Sequence, residues 1–300
     1  MNQDDPLAEQ ILLTVKNDTQ SGATELIRNT LSQLAKYADS LRTISSFHGK
    51  LRLLSLAERL SFLRPSMAPM QRVLGDWQIK LEDLNTSSNS IFIAQVKDLC
   101  RHLIEDINTR QHNQINHAVK LLATTQVILT ISRSSVVGEI FKTLPQRPLR
   151  FIVCESRPGY EGRTLAADLA SADMFVDYIV DAASGLYMPQ ADAVVVGADA
   201  ILADGSVVNK CGTSLLAIAA QHFKVPFYVV ADSSKCISLS SDECILEQMP
   251  VAELNAPTSP YIHPHNVYFD ISPAYVVTAY LTEYGVETQW PWSNIMRPSI

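Results

Sequence analysis

A stretch in the second half of the chain, residues 191–213, holds residue types that could bind and act on a ligand. The β-branched run at 194–196 predicts a buried parallel strand. The carboxylate of Asp199 follows it, where open α/β sheets bind their ligands. Asn209-Lys210 comes after a turn, and Gly212-Thr213 begins an apolar helical run. Because a helix N-terminus favours anions, the stretch predicts an anionic, phosphorylated ligand.

Polar residues also follow the other strands predicted in this half. Strands that alternate with helices indicate βαβ units and a mainly parallel sheet, whose ligand site lies at one edge. Strands are predicted at 127–130, 150–154, 175–180, 193–197 and 226–231, with helices at 136–142, 164–172 and 214–223. The polar residues after the strands are 132–135, 155–158, Asp181, Asp199 and 232–235. We therefore expect one shared crevice.

The first half of the chain has apolar residues at helical spacing and few β-branched clusters. Helices are predicted at 8–16, 23–41, 51–63, 70–84 and 90–122, with breaks at 17–18, 47–49, 64–65 and 85–88. The fold class is therefore α/β: an all-helical N-terminal domain, 1–122, followed by a Rossmann-like domain, 123–300, with a mainly parallel sheet.

Composition excludes several classes of protein. The chain has 300 residues, of which 47% are hydrophobic and 18% charged, so it can bury a sizeable core. A net charge of −7 without a basic block argues against direct nucleic-acid binding, and no apolar run is long enough for a membrane span. The acidic N-terminus has no signal-peptide pattern, and the five cysteines form no CxxC pair, which favours reduced thiols in the cytoplasm.

Metal and cofactor motifs are absent from the sequence. His263-Pro264-His265 has no third ligand at metal-site spacing, so we predict no metal there. There is no GxGxxG, Walker A or GxSxG motif, and no cofactor is expected.

The stretch GADAILADGSVVNKCGT resembles the GA(D/E)…G…NKxGT signature of a superfamily with three branches. They are the alpha, beta and delta regulatory subunits of eukaryotic translation initiation factor 2B with their archaeal relatives, the ribose-1,5-bisphosphate isomerases, and the methylthioribose-1-phosphate isomerases. Further segments resemble family motifs: 127–137, 155–158, 181–200, 269–273, Arg64-Pro65-Ser66 and Ser21-Gly22-Ala23. The resemblance implies a helical N-terminal domain and a Rossmann-like C-terminal domain.

The branch is indicated by residues that differ from the isomerases. Those enzymes use a Cys after the first Rossmann strand together with the Asp of GAD, and Ser132 stands at the Cys position here while Asp199 is kept. A thiol can act as an acid or base near neutrality, whereas an alkanol needs a neighbouring base, and Ile131 replaces the family His. Ser21 also replaces the Arg of the phosphate loop. These changes favour a non-catalytic member resembling the alpha subunits.

Each site residue has a functional and a structural interpretation. Asp199 could be a turn or helix cap, Ser134 or Ser135 a cap of the helix that begins near residue 136, and Lys210 a surface charge. Arg157 could be a structural partner of Glu155 or Glu161. We expect phosphate to be bound by Arg157, Ser134 and Lys235, and sugar hydroxyls by Asp199, Asn209 and Lys210. The resemblance adds Gly22, Ala23 and Arg64 to the ligand-binding residues.

These expectations combine into one predicted function and two alternatives. We expect a regulatory, non-catalytic protein that binds a phosphorylated sugar or nucleoside monophosphate in the interdomain crevice. The first alternative is an aldose–ketose sugar-phosphate isomerase, an intramolecular oxidoreductase, in which Asp199 acts with Ser132 or Cys154 instead of the usual Cys. The second is a purely structural subunit. The resemblance implies a homodimer or higher even oligomer, for which 272–281 and 289–296 are candidate contacts.

Overall fold

The computed structural model describes residues 5–18, 21–64, 67–86, 88–145 and 148–290. The chain divides into two compact units, Met1–Arg110 and Gln111–Ile300. The division falls inside one long helix, Asn89–Leu121. Pro65, Ser66 and the end of the 289–296 segment lie outside the described residues.

The helices and strands follow one another in two blocks. The helices are α1 (Pro6–Asn17), α2 (Ala23–Ser40), α3 (Ser46–Ser61), α4 (Ala68–Glu82), α5 (Asn89–Leu121), α6 (Ser135–Thr143), α7 (Glu161–Ala170), α8 (Ser184–Tyr187) and α9 (Thr213–Phe223). The strands are β1 (Val127–Ile131), β2 (Arg150–Cys154), β3 (Phe175–Ile179), β4 (Ala193–Gly197), β5 (Ala200–Ile201), β6 (Val207–Lys210), β7 (Phe227–Val230), β8 (Phe269–Ser272), β9 (Ala279–Leu281) and β10 (Val286–Glu287). None of the helices in the described ranges is both long and apolar enough to cross a membrane.

The first unit is helical, as its apolar spacing predicts. The apolar faces of the helices bury large side chains, among them Leu34, Leu53 and Trp77, each 0% exposed. Trp77 Nε1 lies 3.2 Å from Cys100 Sγ, so the polar edge of this buried ring has a partner. Asp5 caps α1 by accepting from the Ala8 amide at 3.2 Å.

One predicted break in this unit is wrong. Residues 47–49 were expected to interrupt a helix, but they lie in the first turn of α3. Ser45 caps that helix by accepting from the His48 amide at 3.4 Å. Gly49 lies against the ring of Phe92, where an added Cβ would be 3.4 Å from the ring, so this glycine serves packing rather than a turn.

The second unit is built on a seven-stranded sheet with the order β10-β9-β7-β4-β1-β2-β3. Six of these strands run parallel, and only β10, paired with β9, is antiparallel. The central strands β1 and β4 are buried except for the half-buried Val127, as the continuous apolar runs at 127–130 and 193–197 predict. The second unit is therefore an α/β fold with a mainly parallel sheet, as expected from the alternation of strands and helices.

A second, small sheet has the order β5-β6-β8 and is antiparallel. The sequence does not predict it, because β5 has only two residues and β6 is a short segment directly before α9. The pairing brings Asn209 opposite Asp270 and Lys210 opposite Phe269. The small sheet thus carries two of the expected site residues.

The segment 272–281, a candidate oligomer contact, belongs mostly to the core. It forms the end of β8 and all of β9, and Tyr280 and Leu281 are 2% and 0% exposed. Trp290 packs on Tyr280 with ring centroids 5.0 Å apart. Only Tyr275, at 75% exposure, presents a large ring to solvent in this segment.

Candidate functional site

The carboxyl ends of the parallel strands place polar residues along one edge of the main sheet. The pairing register sets Ile131 beside Cys154 and Cys154 beside Ile179, so β1, β2 and β3 end together. Gly197 likewise pairs with Val230, and Val230 with Leu281. The residues just beyond these ends are Ser132, Ser156, Asp181, Asp199, Asp232 and Glu283. The edge expected from the sequence is therefore formed within the second unit.

Ser132 is held at the end of β1 through its backbone. Its amide donates to Ser156 Oγ at 2.6 Å, and both serines have left-handed backbone, with φ of 68° and 65°. Asp181 fixes the neighbouring turn, because its two carboxylate oxygens accept from the amides of Ser156 and Arg157, each at 2.8 Å. The Ser132 amide and the side chains of Ser156 and Asp181, at the ends of three strands, thus share one hydrogen-bonded network.

The cysteines near this network are poor acid–base groups. Cys154 is 0% exposed, and burial, followed by the charges of Asp181 and Glu155, raises its pKa to about 12. Cys211 is half-buried, and burial raises its pKa as well, with Asp270 acting in the same direction. Cys154, considered in the sequence as a replacement thiol, therefore stays protonated at neutral pH.

Arg157 extends from this network into solvent. Its guanidinium donates to the hydroxyl of Tyr160, and Cζ lies 5.1 Å from the centre of the Tyr160 ring. Arg163 lies over the same ring at 5.4 Å. An exposed, ring-supported guanidinium suits oxyanion binding, and the contact seen for Arg157 is with Tyr160 rather than with either glutamate considered as its partner.

Lys210, expected to reach sugar hydroxyls, lies in a buried ion pair. Nζ is 2.5 Å from Glu161 Oε1, and the two side chains are 7% and 6% exposed. The ring of Tyr268 covers the ammonium at 4.3 Å from the centroid. Its role toward a ligand remains a prediction, but its charge is already balanced within the chain.

The start of α9 was expected to offer an anion site, and the chain supplies the anion itself. Asp270 Oδ2 accepts from the amides of Gly212 at 2.7 Å and Ser214 at 3.1 Å. Burial raises the pKa of Asp270 to about 6, against the opposing effect of these two hydrogen bonds. A carboxylate of the chain therefore lies at the N-terminus of α9, and the binding of a ligand phosphate there remains a prediction.

Asn209 and Thr213 stabilise the turn between β6 and α9 through hydrogen bonds. Asn209 Nδ2 donates to Thr213 Oγ1 at 3.0 Å, and Thr213 Oγ1 donates to the carbonyl oxygen of Lys210 at 2.6 Å. Both side chains are buried. In the described structure they stabilise the β6–α9 junction.

Asp199 and Lys235 lie near each other where β5 runs beside the chain that follows β7. Ile201 bridges Cys236 in parallel, and the amide of Ile237 donates to the Ile201 carbonyl oxygen at 3.0 Å. Lys235 is 6% exposed, and its burial lowers its pKa while the carboxylates of Asp199 and Asp232 act in the opposite direction. The buried lysine therefore lies within electrostatic range of two carboxylates, those of Asp199 and Asp232.

Ser134 is the N-cap of α6, as predicted. Its Oγ accepts from the Val137 amide at 3.4 Å. A Cβ added at Gly197 would lie 2.8 Å from this oxygen. The end of β4 and the start of α6 therefore approach closely because residue 197 has no side chain.

Three expected site residues belong to the first unit. Gly22 is the N-cap of α2, and Ala23 is its buried first residue. Arg64 is 4% exposed and Nη1 donates to the carbonyl oxygen of Asp18 at 2.6 Å. Arg64 thus contacts the chain directly after α1, and a role in phosphate binding stays a prediction.

The sequence does not predict two interactions near the site: the ion pair of Glu161 with Lys210 and the capping of α9 by Asp270. The sequence indicates Glu161 only as a partner of Arg157, although Glu161 lies directly before Gly162 at the start of α7. Across the described residues, no group of three or more His, Cys, Asp or Glu side chains is arranged to hold a metal ion.

Comparison with known proteins agrees with this architecture. The model of the Initiation factor 2 subunit family matches residues 19–289. An eIF-2B subunit 2-like protein of Pyrococcus furiosus is 31% identical over 280 residues, covering 92% of this chain and 95% of the relative. Ribose 1,5-bisphosphate isomerase of Thermococcus kodakarensis is 31% identical over 191 residues, covering 59% of this chain and 58% of that enzyme.

Solved structures show the same likeness. The translation initiation factor eIF-2B of Pyrococcus horikoshii OT3 superposes with a TM-score of 0.81 at 28% identity, over 94% of this chain and 97% of that chain. The 5-methylthioribose 1-phosphate isomerase of the same organism gives a TM-score of 0.78 at 22% identity, over 96% and 86%, which shows the fold alone.

Proposed function

Because the chain belongs to the initiation factor 2 subunit family, we propose that it is a regulatory, non-catalytic member that binds a phosphorylated sugar or a nucleoside monophosphate. The ligand lies at the carboxyl ends of the parallel strands, where the polar residues of the second unit converge. Arg157 holds the phosphate as an exposed guanidinium, and Asp199 accepts from sugar hydroxyls.

The observation that carries the non-catalytic part of the proposal is the chemistry at the end of β1. Ser132 offers a hydroxyl there, and the buried thiol of Cys154, with its pKa raised to about 12, cannot take over as an acid–base group. Isomerisation of an aldose to a ketose needs two groups that exchange protons with carbon and oxygen near neutral pH. Asp199 supplies one of them, and neither Ser132 nor Cys154 supplies the other.

The alternative is an aldose–ketose isomerase, and one observation favours it. Asp199 is present, and the pKa of the neighbouring Lys235 is lowered by burial, which is how a lysine becomes a general base. Similar proteins include enzymes named as isomerases of ribose 1,5-bisphosphate and of methylthioribose 1-phosphate. In this alternative, Lys235 rather than a thiol completes the acid–base pair.

We also propose a homodimer or higher even oligomer. One similar structure is described as a tetrameric eIF2B-beta2-delta2 complex of C. thermophilum. In this chain the face of α9 that points away from the core exposes Leu215 and Ile218, at 72% and 50%. Leu186 on the adjoining α8 is 74% exposed. Exposed apolar side chains on neighbouring elements fit a contact with a second copy.

The function is tested with ribose 1,5-bisphosphate, methylthioribose 1-phosphate, AMP and GMP, each followed by phosphorus NMR and thermal shift. A bound ligand at a hundredfold excess over Kd stabilises by about 2.7 kcal/mol, so a dose-dependent rise in Tm is expected for at least one of them. No new phosphorus resonance should grow with time. A growing resonance that Asp199→Asn abolishes would replace the non-catalytic proposal with the isomerase, and the absence of both signals would leave a structural subunit.

A further inference from the structure

The seven-stranded sheet of the second unit ends sideways in two outermost strands of different length. On one side β10 has only two residues, whereas on the other side β3 has five, Phe175–Ile179. No strand in the described part of the chain pairs with the outer side of β3, which is called the β3 edge below. An open edge can pair with another strand, so native proteins usually shorten it, cover it or place Lys or Pro on it. β3 contains neither Lys nor Pro.

The β3 edge presents backbone donors and acceptors. β3 pairs in parallel with β2, and the amide of Glu155, directly after β2, donates to the Ile179 carbonyl oxygen at 2.8 Å. Successive residues of a strand direct their backbone groups to opposite sides, so the N–H and C=O groups of Val176 and Tyr178 point away from β2. Two donors and two acceptors are therefore placed where an added strand could bind them.

Apolar side chains accompany these backbone groups. Phe175, Tyr178 and Val180 are 72%, 42% and 54% exposed. Asp177 is the one charged residue of the strand, and it is paired with Arg150 of β2. The β3 edge therefore offers apolar contact area, and its single carboxylate is already balanced by a cation of the same chain.

An open cavity of about 360 Å³ adjoins the start of the β3 edge. It is lined by Pro148, Leu149 and Arg150, around the start of β2, and by Phe175–Asp177 of β3. Its volume is at the lower end of the range for small-ligand pockets, which gives room for one large side chain. In strand addition, main-chain hydrogen bonds supply affinity, and a pocket beside the strand selects a side chain.

We propose that the β3 edge binds an extended segment of another protein by strand addition, with one large apolar side chain of that segment in the cavity. The cavity lies at the amino ends of β2 and β3, whereas the phosphate ligand is proposed at the carboxyl ends of the strands. The inference therefore does not depend on the proposed function.

A second copy of this chain fits the β3 edge less well than another sequence does. A closed dimer would pair β3 with itself in antiparallel, with the outward-pointing backbone groups opposite one another. Each register that sets residue 176 or 178 opposite residue 176, 178 or 180 of the second copy has the same defect. It places Asp177 or Asp181 of that copy opposite Phe175 or Asp177. A carboxylate then lies against an apolar ring or against a like charge, which opposes pairing.

The test uses a fluorescein-labelled probe peptide, KTLTLTLK, and a matched peptide of the same charge, KTLTPTLK, both amidated. Fluorescence anisotropy with the full chain should show saturable binding of the first peptide and at least about tenfold weaker binding of the second. Proline removes a backbone donor and does not fit within a paired strand. With the first peptide bound, amide hydrogen exchange across residues 174–181 should slow.

Two variants of the chain test the β3 edge and the cavity separately. Tyr178→Pro removes one outward N–H and should weaken binding of the first peptide about tenfold. Phe175→Ala removes a ring that lines the cavity and should weaken binding about threefold to tenfold. Because the Phe175 side chain is mostly exposed, this variant stays informative if Tyr178→Pro does not fold. Tyr261→Ala removes a ring that is 91% exposed and lies outside the cavity lining, so it is the control and should leave Kd unchanged.

Three results would overturn the inference: no saturable binding by the wild-type protein, equal binding of the two peptides, or unchanged binding by the folded variants. A fourth is a change in oligomer mass caused by Tyr178→Pro in light scattering, which would assign the β3 edge to a second copy of the chain. Each of these results leaves the phosphate-binding proposal as it stands, because that proposal is tested with different ligands.

Discussion

Arg157 and Arg163 are a matched pair of arginines with different positions relative to the strand ends. Both guanidinium groups lie over the Tyr160 ring, at 5.1 and 5.4 Å. Only Arg157 has its backbone amide bound to Asp181, which ties it to the network that also holds Ser132. The same side-chain chemistry is therefore placed once beside the site and once on the outer side of α7.

This difference gives a direct prediction for phosphate binding. Arg157→Met should weaken the binding of a phosphate ester about tenfold to a hundredfold, because a charge-assisted contact is lost at little cost in packing. Arg163→Met removes the same group from the same ring and should change Kd by less than about twofold. Calorimetry with the tightest-binding ester from the ligand screen is the measurement, and equal losses in the two variants would show that only net charge matters.

At the scale of elements, the regular patterns of the sequence predict most of the fold. The runs at 150–154 and 193–197 form strands with the predicted bounds, because short unbroken apolar runs between turn residues favour buried strands. The β5–β6–β8 sheet has no such pattern, since β5 has only two residues and the β6–β8 pairing joins residues about sixty positions apart. The site residues also divide into local and long-range contacts. The sequence predicts that Ser134 caps α6, because this contact is local. It does not predict that Asp270 caps α9, because this contact joins distant parts of the chain.

The contact between α7 and β2 predicts opposite effects for two helical glycines of the second unit. Gly162→Ala would place a Cβ 1.9 Å from the Cys154 carbonyl oxygen, and backbone must shift, so we expect a loss of about 2–3 kcal/mol in the free energy of unfolding. Gly138→Ala meets only Leu165 Cδ1 at 3.6 Å and should be neutral or stabilising by up to about 1 kcal/mol. Urea unfolding of both variants measures this, and a neutral Gly162→Ala would disprove the close packing.

The cap of α9 predicts a pH dependence. Asp270 titrates at about 6 in the folded chain, above its usual 3.8, so the folded state holds the proton more tightly than the unfolded state. The contribution of Asp270 to stability is therefore fully present below about pH 4 and is lost as pH rises through 6. Asp270→Asn is neutral throughout and keeps an acceptor for the amides of Gly212 and Ser214.

Relative to Asp270→Asn, the wild-type protein should lose up to about 2 kcal/mol between pH 4 and pH 7. Urea unfolding at several pH values gives the difference. Asp192→Asn controls for the loss of one negative charge, because Asp192 is an exposed carboxylate that also accepts from two backbone amides, those of Gln126 and Val127. A wild-type protein that gains stability over Asp270→Asn as pH rises would contradict the prediction.

At the scale of the whole molecule, the exposed face of α9 bears on assembly. With a net charge of −7, copies of the chain repel one another at long range, so any association must come from apolar contact at short range. Leu215 and Ile218 are one helical turn apart on the side of α9 opposite its buried residues, and Leu186 and Tyr275 project from the elements that adjoin it. A charged residue placed on this face would be buried without a partner in a dimer but well solvated in a monomer.

Leu215→Asp should therefore convert the oligomer into monomers without unfolding it, since Leu215 is 72% exposed in the single chain and makes little contribution to its core. Light scattering coupled to size-exclusion chromatography at micromolar concentration measures the mass, and the circular dichroism spectrum checks the fold. Leu13→Asp is the control, because Leu13 is 61% exposed on α1, in the first unit, and the same substitution there should leave the mass unchanged. A wild-type protein that is monomeric would contradict the proposed oligomer. A Leu215→Asp variant with the wild-type mass would show that the contact between copies lies elsewhere on the chain. The added charge also strengthens the long-range repulsion between copies, which salt screens. If this repulsion drives the dissociation, high salt should restore part of the wild-type mass. If burial of the aspartate drives it, the mass should stay that of a monomer at high salt.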